Sequence, residues 1–398
     1  MPRRIIKARL FALIVTAGLL LQIGVPLTRI ATTYKALSGG IEPYLVGVLS
    51  AVFTILPVLF TVTIGKLNDR GHIGSTLLAG SLLVAAATAF IWLSPATLVP
   101  LIIGTLVLGI AQTLGLAGLQ FAATRVSSRY HRDSILGNYM MMMSLGGGLG
   151  PLFIGFVGSA SEAVIAERLL TATTVLGFLS IIPGIFLLRS FREARTVGGR
   201  PPGGLAELAR TRGVVTLLIA SGLSVAAQDL VLVFTPVLGI ERQISVAVVG
   251  YLIATRSLFS VVSRFFFGRL VRGLGRRLVV VGSMTMAAAG FALIVAPVPV
   301  WVLFAGMALI GMGVGVASTG TVSLMLVASQ PRMHATALSL RLTANRIMQF
   351  AIPLAAAPIV AVGGVGGIFA VTAAVTLVSG ISVHFRIGSD RPAARPHT

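Results

Sequence analysis

Long apolar segments separated by short polar ones recur along the whole chain. Twelve of them are apolar enough to form helices that cross a bilayer core of about 30 Å. These helices are predicted at 9–31, 43–65, 74–94, 97–123, 134–158, 167–189, 213–238, 245–268, 277–297, 299–328, 335–361 and 365–386. The runs are continuous rather than alternating, which favours helices over the strands of a membrane barrel. The pattern therefore predicts an all-α membrane protein with twelve transmembrane helices.

Lys and Arg are unevenly distributed between the polar segments. Of the 31 in the chain, 23 lie in the termini and even-numbered loops, and four lie inside predicted helices. The remaining four lie on the opposite side, in the odd-numbered loops or at the adjoining helix ends, and they are Arg29, Lys35, Arg168 and Arg242. Because basic loops stay in the cytoplasm, this asymmetry predicts that both termini are cytoplasmic. We expect a multi-pass protein of the inner (plasma) membrane, embedded in the lipid bilayer.

Composition argues against several other classes of protein. Only 10% of the residues are charged, whereas soluble domains carry about 25%. The net charge of +21 lies in short clusters between apolar segments, so we expect no nucleic-acid partner. The chain has no cysteine, and its five His show no metal-ligand spacing, so we expect no metal and no cofactor. It also lacks a P-loop and an intramembrane carboxylate pair, so we do not expect an enzyme.

A polar segment rich in Pro, Gly and charge divides the chain near its middle. Such a composition is typical of a linker between domains. It predicts an N-terminal six-helix bundle at 1–190 and a cytoplasmic linker at 191–212. A second six-helix bundle with a short cytoplasmic tail follows at 213–398.

The two predicted bundles resemble each other in sequence. An apolar segment that ends at Leu67 aligns with one that ends at Leu270, which is 203 residues further along the chain. Pro151 aligns in the same way with Pro353, at a distance of 202 residues. A parallel repeat of two six-helix halves is a known plan of transporters, with the substrate site near the membrane midplane between the halves.

A related motif follows the second and the eighth predicted helices. The first copy reads GKLNDRG from Gly65, and the second reads GRLVRGLGRR from Gly268. Both resemble the cytoplasmic signature G-x-L-x-D-R-x-G-R-R of the major facilitator superfamily, and their glycines allow helices to approach closely. The resemblance implies two pseudo-symmetric six-helix bundles. It assigns the role of a conformational latch to Gly65, Asp69, Arg70, Gly268, Arg272, Arg276 and Arg277.

The fifth predicted helix carries a second element of the same family. Its helix-packing motif consists of Gly146, Gly150, Pro151 and Gly155, and it is similar to a G-x-x-x-G-P element most often found in proton-coupled exporters. Small residues permit close helix contact, and the Pro bends the helix. The resemblance therefore extends to bacterial drug/proton antiporter-like members. The stretch that matches the exporters' R-x-x-x-G, from Thr105 to Gly109, has no Arg.

Polar and ionisable groups inside predicted helices are the candidate functional residues, because they are costly in a membrane. The candidates for binding substrate or a coupling ion are Asp229, Gln228, Arg256, Arg346, Asn345, Gln22 and Gln112. Arg264 and Arg341 lie nearer the cytoplasmic ends, where long side chains reach the interface. The alternative is that these groups are struts that join helices within a bundle.

The resemblance and the candidate residues together predict a monomeric secondary transporter that moves a small molecule by alternating access. The first hypothesis is proton-coupled efflux of a hydrophobic or amphipathic compound, with Asp229 as the group that takes up the proton. The second is uptake or exchange of an organic anion, since Arg pairs bidentately with carboxylates. An unpaired Asp229 favours the first, and a net positive site favours the second. A transporter-like receptor without transport is a third alternative.

Overall fold

The computed structural model describes residues 2–126, 145–154, 161–191, 213–328 and 334–387, which form α-helices and short connections. The first ten helices are α1 (Pro2–Ser38), α2 (Pro43–Asp69), α3 (Ile73–Leu93), α4 (Leu98–Val126), α5 (Leu145–Ile154), α6 (Glu162–Phe191), α7 (Val214–Glu241), α8 (Val246–Leu274), α9 (Arg276–Leu293) and α10 (Val300–Ala328). The last helical stretch, His334–Arg386, breaks at Gly364, whose φ is 64° and ψ is −172°. Its two parts are α11, residues 334–363, and α12, residues 365–386.

Ten of the described helices are long and apolar enough to cross a membrane, namely α1 to α4, α6 to α10 and α12. The other two are α5, of which ten residues are described, and α11, which carries several polar side chains. The prediction of an all-α protein with twelve helices is therefore confirmed.

α1 is longer than the sequence pattern predicts. It continues to Ser38, so Lys35 lies within the helix and not in the following loop, and Arg29 lies well inside the helix instead of near its end. The Nζ of Lys35 donates hydrogen bonds to the carbonyl oxygens of Ile91 (2.7 Å) and Trp92 (2.9 Å), at the end of α3. The prediction that Lys35 lies in a loop is wrong, because its ammonium group finds partners inside the protein.

α6 also begins earlier than predicted. It starts at Glu162, so Arg168, which is the second residue of the predicted helix, lies inside the helix and not at its start. The indole Nε1 of Trp92 donates a hydrogen bond of 2.8 Å to Oε1 of Glu167. This contact ties the first turns of α6 to the end of α3.

The described residues form two compact units. The first contains α1 to α6 together with Leu232–Ala254, and the second contains the remaining parts of α7 and α8 with α9 to α12. In the first unit, α6 packs on α1 and α3, and α4 packs on α2 and α3. In the second unit, α9 packs on α10 and on α12. Of the predicted linker at 191–212, residue 191 is the end of α6 and residues 192–212 lie outside the described part of the chain, so the domain boundaries stay a prediction.

An apolar cluster in the first unit explains why Leu232–Ala254 belongs to it. The cluster combines buried side chains from α1, α2 and α6 with others from the ends of α7 and α8 that flank their connection. Its members include Ile30, Leu49, Leu169, Leu232, Val249 and Ile253. In this conformation, side-chain packing therefore holds these ends of α7 and α8 against the Ser38 end of α1.

Both units contain the same glycine-dependent helix crossing. A Cβ atom added at Gly109 of α4 would overlap the carbonyl oxygen of Phe53 in α2. A Cβ atom added at Gly311 of α10 would overlap the carbonyl oxygen of Arg256 in α8. The second pair lies 202 and 203 residues after the first, which is the offset of the sequence repeat. Arg256 therefore occupies the position in the second half that Phe53 occupies in the first.

Candidate substrate and coupling site

In the second unit, the structure joins Asp229 of α7 to Arg346 of α11 through one amide. Nε2 of Gln349 donates a hydrogen bond of 2.7 Å to Oδ2 of Asp229. Nη1 of Arg346 donates a hydrogen bond of 3.2 Å to Oε1 of Gln349. Gln349, which is 8% exposed, was not among the predicted candidates. Its signal in the sequence is its position on the polar side of α11, eight residues after Arg341.

Arg256 of α8 is the most deeply buried candidate cation. Its side chain is 9% exposed. Nη2 donates a hydrogen bond of 2.9 Å to Oγ of Ser257, whereas Nε has no hydrogen-bond partner among the described residues. Asp229 and Arg264 lie close enough to act electrostatically on its charge. Since a buried guanidinium with an unused donor is costly, Arg256 is able to accept a further anionic partner.

Asn345 and Arg341 attach α11 to α7 through one hydroxyl group. Oγ of Ser221 donates to Oδ1 of Asn345 at 2.9 Å, and Nη1 of Arg341 donates to the same Oγ at 2.7 Å. One residue further along α7, a Cβ atom added at Gly222 would lie 2.5 Å from Cγ of Met348. The backbones are thus close at this level, and Asn345 and Arg341 act here as interhelical struts.

Arg264 connects α8 to α10. Its Nε donates to the carbonyl oxygen of Gly315 at 3.2 Å, and its Nη2 donates to Oγ of Ser318 at 3.1 Å. These contacts place Arg264 among the struts and leave Arg256 and Arg346 as the candidate cations closest to Asp229. Gln228 does not join them, because its Nε2 donates to the carbonyl oxygen of Ser224 in its own helix, at 3.2 Å.

In the first unit, Gln22 of α1 and Gln112 of α4 are both partly buried. The predicted packing motif of α5 lies against α1 near Gln22. A Cβ atom added at Gly146 would lie 2.8 Å from Cβ of Gln22, and one added at Gly150 would lie 2.9 Å from the carbonyl oxygen of Ile23. Pro151 is buried in the same helix, whereas Gly155 lies outside the described residues.

Arg29 is a buried cation of the first unit that was predicted only as a charge near the end of the first helix. It is 7% exposed. Its guanidinium lies 4.3 Å from the ring centroid of Phe53, and its Nη2 donates to Oγ of Ser50 at 3.0 Å. A signal was available in the sequence, since Arg29 follows Gln22 by seven residues and therefore shares its side of a continuous helix.

The second copy of the predicted latch binds within its own unit. Nε of Arg276 donates to Oγ of Ser323 at 3.0 Å and so joins α9 to α10. Nη1 of Arg277 donates to the carbonyl oxygen of Ile387 at 3.2 Å, just after α12. Basic side chains commonly satisfy carbonyls left open at a helix C-terminus. In this conformation, both arginines therefore fasten helices of one unit to each other.

The glycines of the two latch copies are not at tight contacts in this conformation. Among the described residues, a Cβ atom added at Gly65 would meet no atom within 4 Å, and one added at Gly268 would meet only Nη1 of Arg272, at 3.9 Å. The close helix approach that the sequence suggests at these positions is therefore not present here. Arg70 is exposed, and the side chain of Asp69 lies outside the described part of the structure. The latch role of these residues stays a prediction.

Chemically, the site in the second unit is an excess of positive charge around one carboxylate. Of the ten Asp and Glu residues in the sequence, only Asp229 lies well inside a predicted span. Within the described residues, no group of three or more His, Asp or Glu could hold a metal ion. The arrangement can therefore bind an anion or exchange a proton.

Comparison with known proteins gives the family. The sequence profile of the Major Facilitator Superfamily matches residues 10–241 and 217–398. No curated protein matches the sequence significantly.

Solved structures of transporters share the fold. A mutant of the nucleoside transporter NupG has a TM-score of 0.77 at 12% identity, over 95% of this chain and 100% of that one. A POT family transporter in complex with 5-aminolevulinic acid has a TM-score of 0.76 at 12% identity, over 94% and 95% of the two chains. A POT family transporter in complex with a thioalcohol-conjugated peptide has a TM-score of 0.74 at 13% identity, over 94% and 95%. Since the profile covers nearly the whole chain and the fold agrees, this protein belongs to the major facilitator superfamily of membrane transporters.

Proposed function

We propose that this protein is a secondary active transporter of a small organic anion that works by alternating access. The observation that carries the proposal is Arg256, a guanidinium 9% exposed inside a membrane helix with no hydrogen-bond acceptor for its Nε among the described residues. Arg donates two parallel hydrogen bonds to a carboxylate and is always charged. A substrate carboxylate would satisfy both the charge and the unused donor of Arg256.

The balance of charge in the second unit supports an anionic substrate. Arg256, Arg264, Arg341 and Arg346 all lie on α8 or α11, and Asp229 is the carboxylate that accompanies them. Asp229 is itself engaged, because it accepts a hydrogen bond from Gln349. An engaged carboxylate within a net positive cluster matches the second of the sequence-based hypotheses better than the first.

Proton-coupled efflux of a hydrophobic or amphipathic compound is the second candidate function. It is favoured by the partly buried carboxyl of Asp229, which would serve as the proton-binding group, and by the tight packing of Gly146 and Gly150 on α1. A carboxyl in a membrane helix is a plausible carrier of a proton for any coupled transporter. Under this candidate, Arg256 and Arg346 would be struts and no anion would be needed.

The two candidates are separated by transport into liposomes. The purified protein is reconstituted with a pH-sensitive dye inside the vesicles, and four carboxylates (acetate, lactate, benzoate and succinate) are compared with a panel of lipophilic cations. We expect a response to at least one carboxylate, and we expect Arg256→Gln and Arg346→Gln to lower it about 30-fold or more, since a buried charged contact is lost. Gln228→Ala is the matched control, because the amide of Gln228 donates to the carbonyl oxygen of Ser224 in its own helix.

The opposite result identifies the second candidate. Proton movement triggered only by lipophilic cations, abolished in Asp229→Asn and retained in Arg256→Gln, would overturn anion transport in favour of efflux. A protein that binds ligands but moves neither class across the membrane would be a receptor.

We further propose that the protein functions as a monomer in the inner membrane with both termini in the cytoplasm. The support for the orientation of the termini is the concentration of Lys and Arg in the termini and even-numbered loops. Because the chain has no cysteine, a single one introduced at either terminus can be tested with an impermeant thiol reagent on intact cells. Labelling from outside would reverse the assignment.

A further inference from the structure

The amide of Gln349 lies between a carboxylate and a guanidinium, and this fixes its orientation. Its Nε2 donates to Oδ2 of Asp229 at 2.7 Å, and its Oε1 accepts from Nη1 of Arg346 at 3.2 Å. A carboxylate can only accept hydrogen bonds and a guanidinium can only donate them. The nitrogen of the amide must therefore face Asp229 and its oxygen must face Arg346.

Burial makes both hydrogen bonds matter. Gln349 is 8% exposed, so water has little access to replace a partner that leaves. An unsatisfied buried polar atom is costly, and a hydrogen bond to a charged group is stronger than one between neutral groups. As long as Asp229 is charged, it holds the amide in place, and the amide oxygen remains on Arg346.

We propose that Gln349 is a positioning residue that makes the availability of Arg346 for an anion depend on the charge of Asp229. The proposal rests on the anion-transport function proposed above. An incoming carboxylate that pairs with Arg346 through Nη1 competes there with Oε1 of Gln349 and displaces it. This displacement is easier when Asp229 is neutral, because the bond that anchors the other end of the amide has then lost its charge assistance.

Asp229 also acts on the site directly through its charge. The charged groups that face it are Arg346 on α11, through Gln349, and Arg256 on α8, while Gln228 beside it on α7 turns to its own helix. Neutralising Asp229 therefore raises the positive potential at both arginines and favours an anion even without Gln349. The weaker hold on the Gln349 amide adds a second contribution that also favours anion binding when Asp229 is neutral. Replacing Gln349 removes this second contribution and leaves the direct effect of the charge.

A double-mutant cycle isolates the contribution of the amide. The full chain is placed in lipid nanodiscs, and binding of radiolabelled acetate, lactate, benzoate and succinate is measured for wild type, Asp229→Asn, Gln349→Met and the double variant. Residues in one hydrogen-bonded network give interaction energies that correspond to about 2- to 150-fold in affinity. We expect Asp229→Asn to tighten binding in the wild-type background, and to tighten it about five-fold less when Met replaces Gln349.

A variant of the same size but with a carboxyl group, Gln349→Glu, tests the same contact with Arg346 by strengthening it. Gln349→Glu places a carboxylate against Arg346 permanently, so it should weaken anion binding about ten-fold or more. If Gln349 had only a structural role, Gln349→Met and Gln349→Glu would both lower stability. Gln349→Glu would then not weaken anion binding more than Gln349→Met does. If Gln349→Met does not yield folded protein, the cycle is run with Gln349→Asn, whose shorter side chain cannot span both partners.

The outcomes separate this inference from the proposed function. If an anion binds and Arg346→Gln weakens it, but Asp229→Asn has the same effect with and without Gln349, the positioning role is wrong and anion transport stands. If wild-type protein binds none of the four carboxylates, the proposed function is overturned and the positioning role falls with it.

Discussion

The crossing of α2 with α4 in the first unit and that of α8 with α10 in the second share one backbone arrangement and differ in one side chain. Gly109 lies against the carbonyl of Phe53, and Gly311 lies against the carbonyl of Arg256. The glycines are needed because the helices approach too closely for a Cβ atom. The backbone packing at the crossing is thus the same in both halves. The side chain at the crossing is an apolar ring, Phe53, in the first half and a cation, Arg256, in the second.

The two crossings also obtain their positive charge differently. In the first unit, the cation comes from α1, where the guanidinium of Arg29 lies 4.3 Å from the ring of Phe53 and bonds to Ser50. In the second unit, the cation is Arg256 itself, with its Nε unused among the described residues. The comparison separates Arg29, whose aromatic and hydroxyl partners come from another helix, from Arg256, whose Nη2 bonds to the adjacent Ser257 and whose Nε is unused among the described residues. The first is held as a structural element, and the second is the better candidate for binding a ligand.

The largest expected effect comes from making the second crossing like the first. Arg256→Phe should abolish the proposed anion transport, with a loss of about 100-fold or more, because it removes a buried charged contact. The fold should survive, since Phe stands at the matching position in the first half. Carboxylate uptake into liposomes measures the loss, and the helical signal in circular dichroism checks the fold.

Phe53→Leu is the matched control for this change, since it alters the equivalent position in the first half without removing a charge. It should leave uptake within about two-fold of wild type, because it keeps an apolar side chain at this position and removes only the ring contact with Arg29. An Arg256→Phe protein that still takes up the anion at the normal rate would show that Arg256 is a strut.

A smaller effect is expected from adding a methyl group at each crossing. Gly109→Ala and Gly311→Ala force a Cβ atom into a backbone carbonyl, so each should lower the free energy of unfolding by about 1–3 kcal/mol. Because the two crossings are equivalent, the two losses should be similar in size. Reversible unfolding in mixed detergent micelles measures both.

Gly282→Ala provides the control for the glycine changes. A Cβ atom there would meet no atom within 4 Å, and Ala favours a helix over Gly by about 1 kcal/mol, so stability should stay the same or rise. Equal destabilisation by all three changes would mean that the crossings are no tighter than the rest of the helices.

Sequence patterns predicted the helices and the repeat because both can be recognised in the sequence without knowing any contact between helices. Apolar run length decides whether a helix can span a membrane, and an offset of 202 or 203 residues is visible without coordinates. The helix ends were harder to predict. Arg29 was predicted near the end of its helix because charge normally ends a span, and its partners Ser50 and Phe53 belong to another helix.

The candidate site was predicted as a set of residues but not as a set of contacts. Asp229, Arg256 and Arg346 stand out as costly groups in apolar segments. The bridging role of Gln349 depends on a helix 120 residues away in sequence, and no local pattern encodes that register. For the same reason, the sequence alone could not show that Arg264 is a strut to α10.

The smallest expected effect concerns the cation of the first crossing. Ser50→Ala removes a single hydrogen bond to Arg29 and should lower the free energy of unfolding by about 0.6 kcal/mol, which is the average found for such bonds in membrane proteins. Arg29→Met also removes the contact with Phe53 and should cost about 1–2 kcal/mol. Both are measured by the same unfolding transition.

Transport decides what these two stability changes mean. If Arg29 is a structural element, both variants should take up the carboxylate at rates within a few-fold of wild type, in contrast to Arg256→Phe. A loss in Arg29→Met as large as that in Arg256→Phe, without a matching loss in Ser50→Ala, would contradict this distinction. Arg29 would then be needed for transport itself, and its contacts with Ser50 and Phe53 would not mark it as a structural element.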